Sequence, residues 1–238
     1  MKLTLFALIS ILFTVSVYAQ KLPNTQSQSI WAGKIKVDGK LDDWNKELPA
    51  YNRENNLWYS LANDDKYLYL AVKKDKFPTK AYSRGGIKLF ISTKEIKKTE
   101  GLPTITFPVI VVDGKPVPFK EWNDIDVRHI PGVTDTLISI YNDHGIQVAW
   151  NLDETEIGKI YTYELAIPLK LLSISPGQTI YYNMLLRGTR SKPLRPGQVS
   201  PIAVSTPHVP VSEEVKQRLI DSDTWTDFWA TYKLATKR

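Results

Sequence analysis

Apolar positions recur at every second residue over short stretches of this chain, and turn residues punctuate them. The run KYLYLAVK at 66–73, dense in aromatic and branched residues, predicts a strand. GIKLFIS at 86–92 alternates cleanly, with Ile87, Leu89 and Ile91 on one face. The same period predicts strands over 34–37, 57–61, 136–141, 146–151, 162–167, 179–186 and 228–234. Two further runs, 104–112 and 115–119, flank Asp113-Gly114 and read as a hairpin closed by a two-residue turn. Only 169–173 and 212–220 read as helices, the second opening on Ser212 as N-cap with Glu213 and Glu214 in its first turn. Many short strands with Gly and Asp turns and two short helices predict an all-β fold. We expect an antiparallel β-sandwich, jelly-roll-like, forming a single domain over 34–238.

Residues 1–19 stand outside that pattern. Lys2, an apolar run to Val17, and Tyr18-Ala19 before Gln20 have the form of a secretory signal peptide. The expectation is an exported protein, periplasmic or extracellular, with no transmembrane segment in the mature chain and a flexible lead-in over 20–33. The chain has no cysteine, which excludes a thiolate nucleophile and a Cys-ligated metal. Its net charge of +6 is spread among acids, so no concentrated patch points to nucleic acid as a partner.

Catalytic motifs are missing. There is no nucleophile elbow, phosphate-cradling loop or dinucleotide fingerprint, and His129, His144 and His208 have no second ligand at zinc spacing. The carboxylates of Asp38, Asp42, Asp43, Asp64 and Asp65, with Asn63, are hard oxygens of the kind calcium takes. Their spacing departs from an EF-hand loop, and the other reading is turns with Asx caps. No cofactor is expected, calcium being the one candidate. Aromatics are the more telling class, with seven Trp, twelve Tyr and seven Phe. Sugars offer apolar C–H faces ringed by hydroxyls, so an exposed ring beside planar polar groups suits them. Tyr67, Tyr69, Phe90 and Phe228 are expected in the core, whereas Tyr82, Trp122 and Trp225 stand beside turns and are candidates for exposure. RGTRSKPLR at 187–195 carries four cations and no acid, which is either a solvated loop or a contact for a uronate or sulfate. Long connections at 93–101 and 190–211, the second rich in proline, are where binding is expected to lie.

In order, IKVDGKLDDW, WYSLANDDKYLYLAVK, GGIKLFIS, YTYELAIPLKLL, YYNMLLRG and DFWATYKLA resemble segments of the family 9 carbohydrate-binding modules and their DOMON-like relatives. The resemblance spans about 35–235 and is weakest over 93–161. It implies that the VDGKLDDW segment is structural, with Asp38, Asp42 and Asp43 in turns and caps and Trp44 in the core. It also implies a sugar stacked between two aromatics, which by position are Tyr82 and Trp225, with Asn183 bonding a hydroxyl. The family's acidic residues at the positions of Gly85 and Lys88 are absent here. Arg84, Lys88 and Arg187 lie there instead, which suits an anionic glycan or marks the loss of sugar binding.

The resulting expectation is an exported, non-catalytic carbohydrate-binding protein using Tyr82, Trp225, Asn183, Arg84, Lys88 and Arg187. Any enzyme or envelope partner would be a separate polypeptide. The alternatives are a cell-envelope structural or interaction protein of the same fold without sugar binding, and a haem-binding protein of the DOMON-like kind using Met184 with a histidine. A hydrolase is disfavoured by the missing nucleophile motif.

Overall fold

A computed structural model of the chain describes residues 21–44, 48–156, 158–190, 192–195, 197–198 and 212–237. The expected signal peptide, His208 and most of the proline-rich connection lie outside the described residues. Two antiparallel sheets face each other. The first runs in the order β1 (Ala50–Asn52), β2 (Leu57–Asn63), β3 (Tyr67–Lys74), β11 (Gly158–Pro168), β10 (Gln147–Thr155). The second runs β13 (Thr226–Lys233), β12 (Thr179–Leu186), β4 (Ile87–Ser92), β5 (Thr104–Phe107), β8 (Asp124–Arg128), β9 (Leu137–Ser139). A small hairpin pairs β6 (Val111–Val112) with β7 (Lys115–Pro116). Among the described residues the helices are α1 (Thr79–Ser83), α2 (Leu169–Leu172) and α3 (Glu213–Asp223), with a 3-10 turn at Phe119–Glu121. This is the all-β sandwich that the alternation predicts.

Period-two patterning builds the core directly. Ile180, Tyr182, Met184 and Leu186 of β12 and Ile87, Leu89 and Ile91 of β4 point inward. They meet Tyr161, Tyr163, Leu165 and Ile167 of β11. Buried hydroxyls need partners, and Tyr59 of β2 meets Tyr182 across the two sheets at 2.9 Å. Ser212 caps α3 as expected, its side chain accepting from Val215 N.

β11 is buried on its second face too, and this explains the VDGKLDDW segment. Glu164 points away from the core with no exposure, and that segment folds over it. Trp44 Nε1 donates to Glu164 Oε1 at 2.7 Å, while the Asp38 and Gly39 amides donate to Oε2 at 3.0 and 2.7 Å. Burial raises the Glu164 carboxyl above its usual range, and these three donors pull the other way. Gly39 is needed here, since at φ +82° a Cβ would stand 2.7 Å from the Trp150 carbonyl oxygen. Asp38 accepts from Lys40 N and Asp43 from Lys36 N, so both are turn formers, and Trp44 is buried. Asp64 likewise accepts from Lys66 N, Tyr67 N and the Tyr69 hydroxyl.

Several expectations are corrected. Residues 34–37 join no ladder, because Ile35 and Val37 pack on the Trp44 cluster while the neighbouring amides go to carboxylates. The lead-in is tied to the sheet at several points, with Pro23 O accepting from Tyr51 N and Ile30 O from Asn63 N. Gln26 is buried, exchanges bonds with Leu61 N and O, and donates its backbone N–H to the Tyr59 hydroxyl. The 104–112 run breaks after Phe107, leaving β6 and β7 as a separate hairpin with Asp113 and Gly114 both at positive φ. Trp122 is buried, its Nε1 donating to Val117 O. Tyr69 and Phe228 are core residues, but Tyr67 and Phe90 are only half-buried.

Candidate functional site

Residues paired across neighbouring strands share a face, so register orders the outer face of the six-stranded sheet into rows. One row reads Lys88, Leu185, Asp227 across β4, β12 and β13. The next reads Phe90, Asn183, Trp229. Where β12 and β13 run out, Arg187 and Trp225 continue the same face, and the Arg187 guanidinium lies 4.8 Å from the Trp225 ring centroid. Four of the six residues anticipated from sequence, Trp225, Asn183, Lys88 and Arg187, therefore gather at one end of one face. Arg84, exposed at the C-cap of α1, lies on the link leading to β4. Gly85 follows it, and a Cβ there would stand 3.2 Å from Arg187 Cδ, so the missing side chain leaves room for the arginine stem.

Tyr82 is placed differently. It is half-buried on α1, packed against the core, with ring centroids 5.9 Å from Tyr161 and 6.3 Å from Trp122. Its aromatic partners are these two residues, whereas the partner of Trp225 is the Arg187 cation.

The loop that presents Trp225 and Arg187 is tightly braced. Gly188 abuts the end of α3 so closely that a Cβ would fall 2.2 Å from the Asp223 carbonyl oxygen. Thr189 N donates to Ser222 O at 2.9 Å, and Arg190 Nε sits 3.4 Å from Asp223 Oδ2. Trp225 Nε1 donates to Arg190 O at 2.8 Å, which fixes the plane of the indole. A platform held by this many contacts loses little freedom when something docks on it.

Asn183 has no exposure, being covered within the row of Phe90 and Trp229. Its Nδ2 donates to Asp227 Oδ2 at 2.6 Å, a short charge-assisted bond. Asp227 itself is exposed. Asn183 thus orients a carboxylate that reaches solvent, and Asp227 supplies an acceptor among cations where sequence reading saw none. Lys88, half-buried with Nζ 5.9 Å from the Phe90 ring centroid, has its ammonium pushed below the usual lysine range. Burial is the main cause, with Arg128 and Arg187 adding to it and Asp126 opposing it. Sequence reading missed Asp227 and Trp229 as site residues. The signal was available in WTDFWAT, where Trp225, Asp227 and Trp229 share one parity.

Among the described residues, no group of three or more His, Asp or Glu side chains could hold a metal ion. The Asp38, Asp43 and Asp64 oxygens that would suit calcium take backbone donors. Met184, the residue a haem would need, is fully buried between the sheets. No helix among the described residues is long and apolar enough to cross a membrane.

The class defined by these features is an antiparallel β-sandwich with a braced patch of aromatic and charged residues at one end of an outer face. A search of solved structures matches the chain to a family 9 carbohydrate-binding module from Caldicellulosiruptor kristjanssonii, determined in complex with glucose. Identity is 14%, the match covers 89% of this chain and 97% of that one, and the TM-score is 0.41. No family profile matches the sequence, and no curated protein does.

Proposed function

We propose that this chain is an exported carbohydrate-binding protein, without catalysis of its own, that takes anionic glycans on the patch around Trp225. The observation that carries this reading is the Arg187–Trp225 stack beside Asp227. The Arg187 guanidinium, held 4.8 Å from the Trp225 ring centroid, offers a planar fork of donors to a uronate or sulfate. The carboxylate that Asn183 aims accepts from the sugar hydroxyls around that charge. Lys88 in the adjoining row, and Arg84 on the nearby link, add positive field. Tyr82 supports α1 from the core side in this reading, and Trp229 extends the aromatic surface along the face.

A second reading has its own observation. One face of the Trp225 ring is covered by Arg187 and its Nε1 is spent on Arg190 O, which suits a fixed protein–protein surface in the cell envelope. A glycan-array screen of residues 20–238 beside Trp225→Ala separates the two. Binding to acidic glycans that vanishes in the variant supports the sugar site. Binding that survives moves the site elsewhere, and no binding to any glycan favours the envelope-interaction reading.

A further inference from the structure

At the opposite end of the sandwich, three loops enclose a cleft of about 740 Å³. They are the turn before β3, the turn before β10, and the α2 segment after β11. Trp225 and α1 stand at the far end of β3, about 25 Å away for an eight-residue strand. Each wall is fixed without any ligand. Asp64 Oδ1 accepts from Lys66 N and Tyr67 N, both at 2.7 Å. Asn142 Oδ1 accepts from His144 N and Ile146 N. Leu169 N donates to Lys66 O at 2.8 Å, and Ser175 N donates to Gln178 Oε1 at 2.8 Å.

The functional groups on this frame are unspent. Among the described residues, no hydrogen bond or ion pair engages the side chains of Asp65, Lys66, Asp143, His144 or Lys170. Their charges balance, two carboxylates against two ammonium groups, so the cleft offers no net attraction to an ion. It offers both donors and acceptors to a ligand that has both. The half-buried Tyr67 ring and Pro176 supply flat apolar surface beside them, with the buried Pro168 forming part of the floor. Apolar faces ringed by mixed donors and acceptors, in a volume within the range of small-molecule sites, describe a polyhydroxylated neutral ligand.

We propose that this cleft is a second sugar site, selective for neutral oligosaccharides and independent of the patch around Trp225. A protein with a site at each end joins two glycans, one acidic and one neutral.

The test is an amide-resolved NMR titration with cellobiose, maltose and xylobiose, run on the wild type, Asp143→Ala, His144→Ala and Trp225→Ala. Asp143 and His144 lie on a turn held by Asn142 through backbone bonds, so their substitution leaves the frame in place. The expected result is saturable shifts at Tyr67, His144 and Gly145 for at least one sugar. Affinity should be roughly tenfold weaker in Asp143→Ala, the loss of one hydrogen bond to a charged group, about three- to tenfold weaker in His144→Ala, the loss of an ordinary one, and unchanged in Trp225→Ala. Shifts that map to the Trp225 end, binding that ignores both cleft substitutions, or no saturable shift with any of the three at millimolar concentration would each overturn the proposal. Failure of the acidic-glycan reading shows instead in the array, where Trp225→Ala is the informative variant.

Discussion

Lys74 closes β3 with no exposure, and among the described residues its ammonium has no carboxylate in contact. Nζ donates to the carbonyl oxygens of Asn55 at 2.6 Å and Asn56 at 3.2 Å. Burial lowers its pKa from the ordinary 10.5 to about 8. The charge of Asp221 works against that shift and Lys80 works with it. That interval corresponds to about 3 kcal/mol of preference for the neutral amine. Below pH 8 both folded and unfolded chains carry the charge, and the fold bears the full cost. Between pH 8 and 10.5 the folded lysine is neutral while the unfolded one is charged. Unfolding then takes up a proton, and stability rises by up to about 1.4 kcal/mol per pH unit. Lys74→Met removes this dependence and also two hydrogen bonds, the latter a roughly constant loss. Urea unfolding of both proteins from pH 7 to 10.5 should show the difference, wild type minus variant, climbing by about 3 kcal/mol. Tyrosine ionisation affects both proteins alike and cancels in this difference. A flat difference would refute the claim that Lys74 is buried as an unpaired cation.

Three other substitutions test the packing. Trp44→Phe keeps an aromatic ring but leaves Glu164 Oε1 without its donor, and should cost about 1–3 kcal/mol in denaturant unfolding. Lys80→Met strips the buried Asp221 of its cation, 3.5 Å away, and should cost about 3–5 kcal/mol by the same assay. Gly188→Ala forces a Cβ against the Asp223 carbonyl oxygen. It should cost about 2–3 kcal/mol and weaken acidic-glycan binding, read by thermal melting and by the array.

How much of this was legible in sequence depends on where each backbone amide goes. Strands whose amides enter a ladder follow the alternation, and β12 spans 179–186 as read from it. Ile35 and Val37 alternate too, but the amides around them go to the Asp43 and Glu164 carboxylates, so the pattern arises without a strand. Polar composition made the lead-in look mobile, because a pattern of polar letters cannot show that the Gln26 side-chain amide and backbone N–H are engaged by Leu61, Gln28 and Tyr59. At the site, the family resemblance singled out Trp225, Arg187, Lys88 and Asn183, and strand register sets these four toward one end of one face. It did not reveal that Asn183 is sealed and works through Asp227, since that depends on the register of β12 against β13. Tyr82 sits on a five-residue helix that no periodicity marked, and the helix sets its ring among Tyr161 and Trp122.

The most direct test of the carbohydrate reading is a calorimetric titration of the wild type and Asp227→Ala with an oligogalacturonate and with its carboxyl-reduced neutral form. The account predicts that the acidic sugar binds at least roughly tenfold tighter than the neutral one, from a charge-assisted contact. It predicts that this preference shrinks as salt is added, and that Asp227→Ala weakens binding of the acidic sugar by roughly tenfold. Equal affinity for the two forms with both weakened by Asp227→Ala, or acidic-sugar binding indifferent to Asp227, would contradict it.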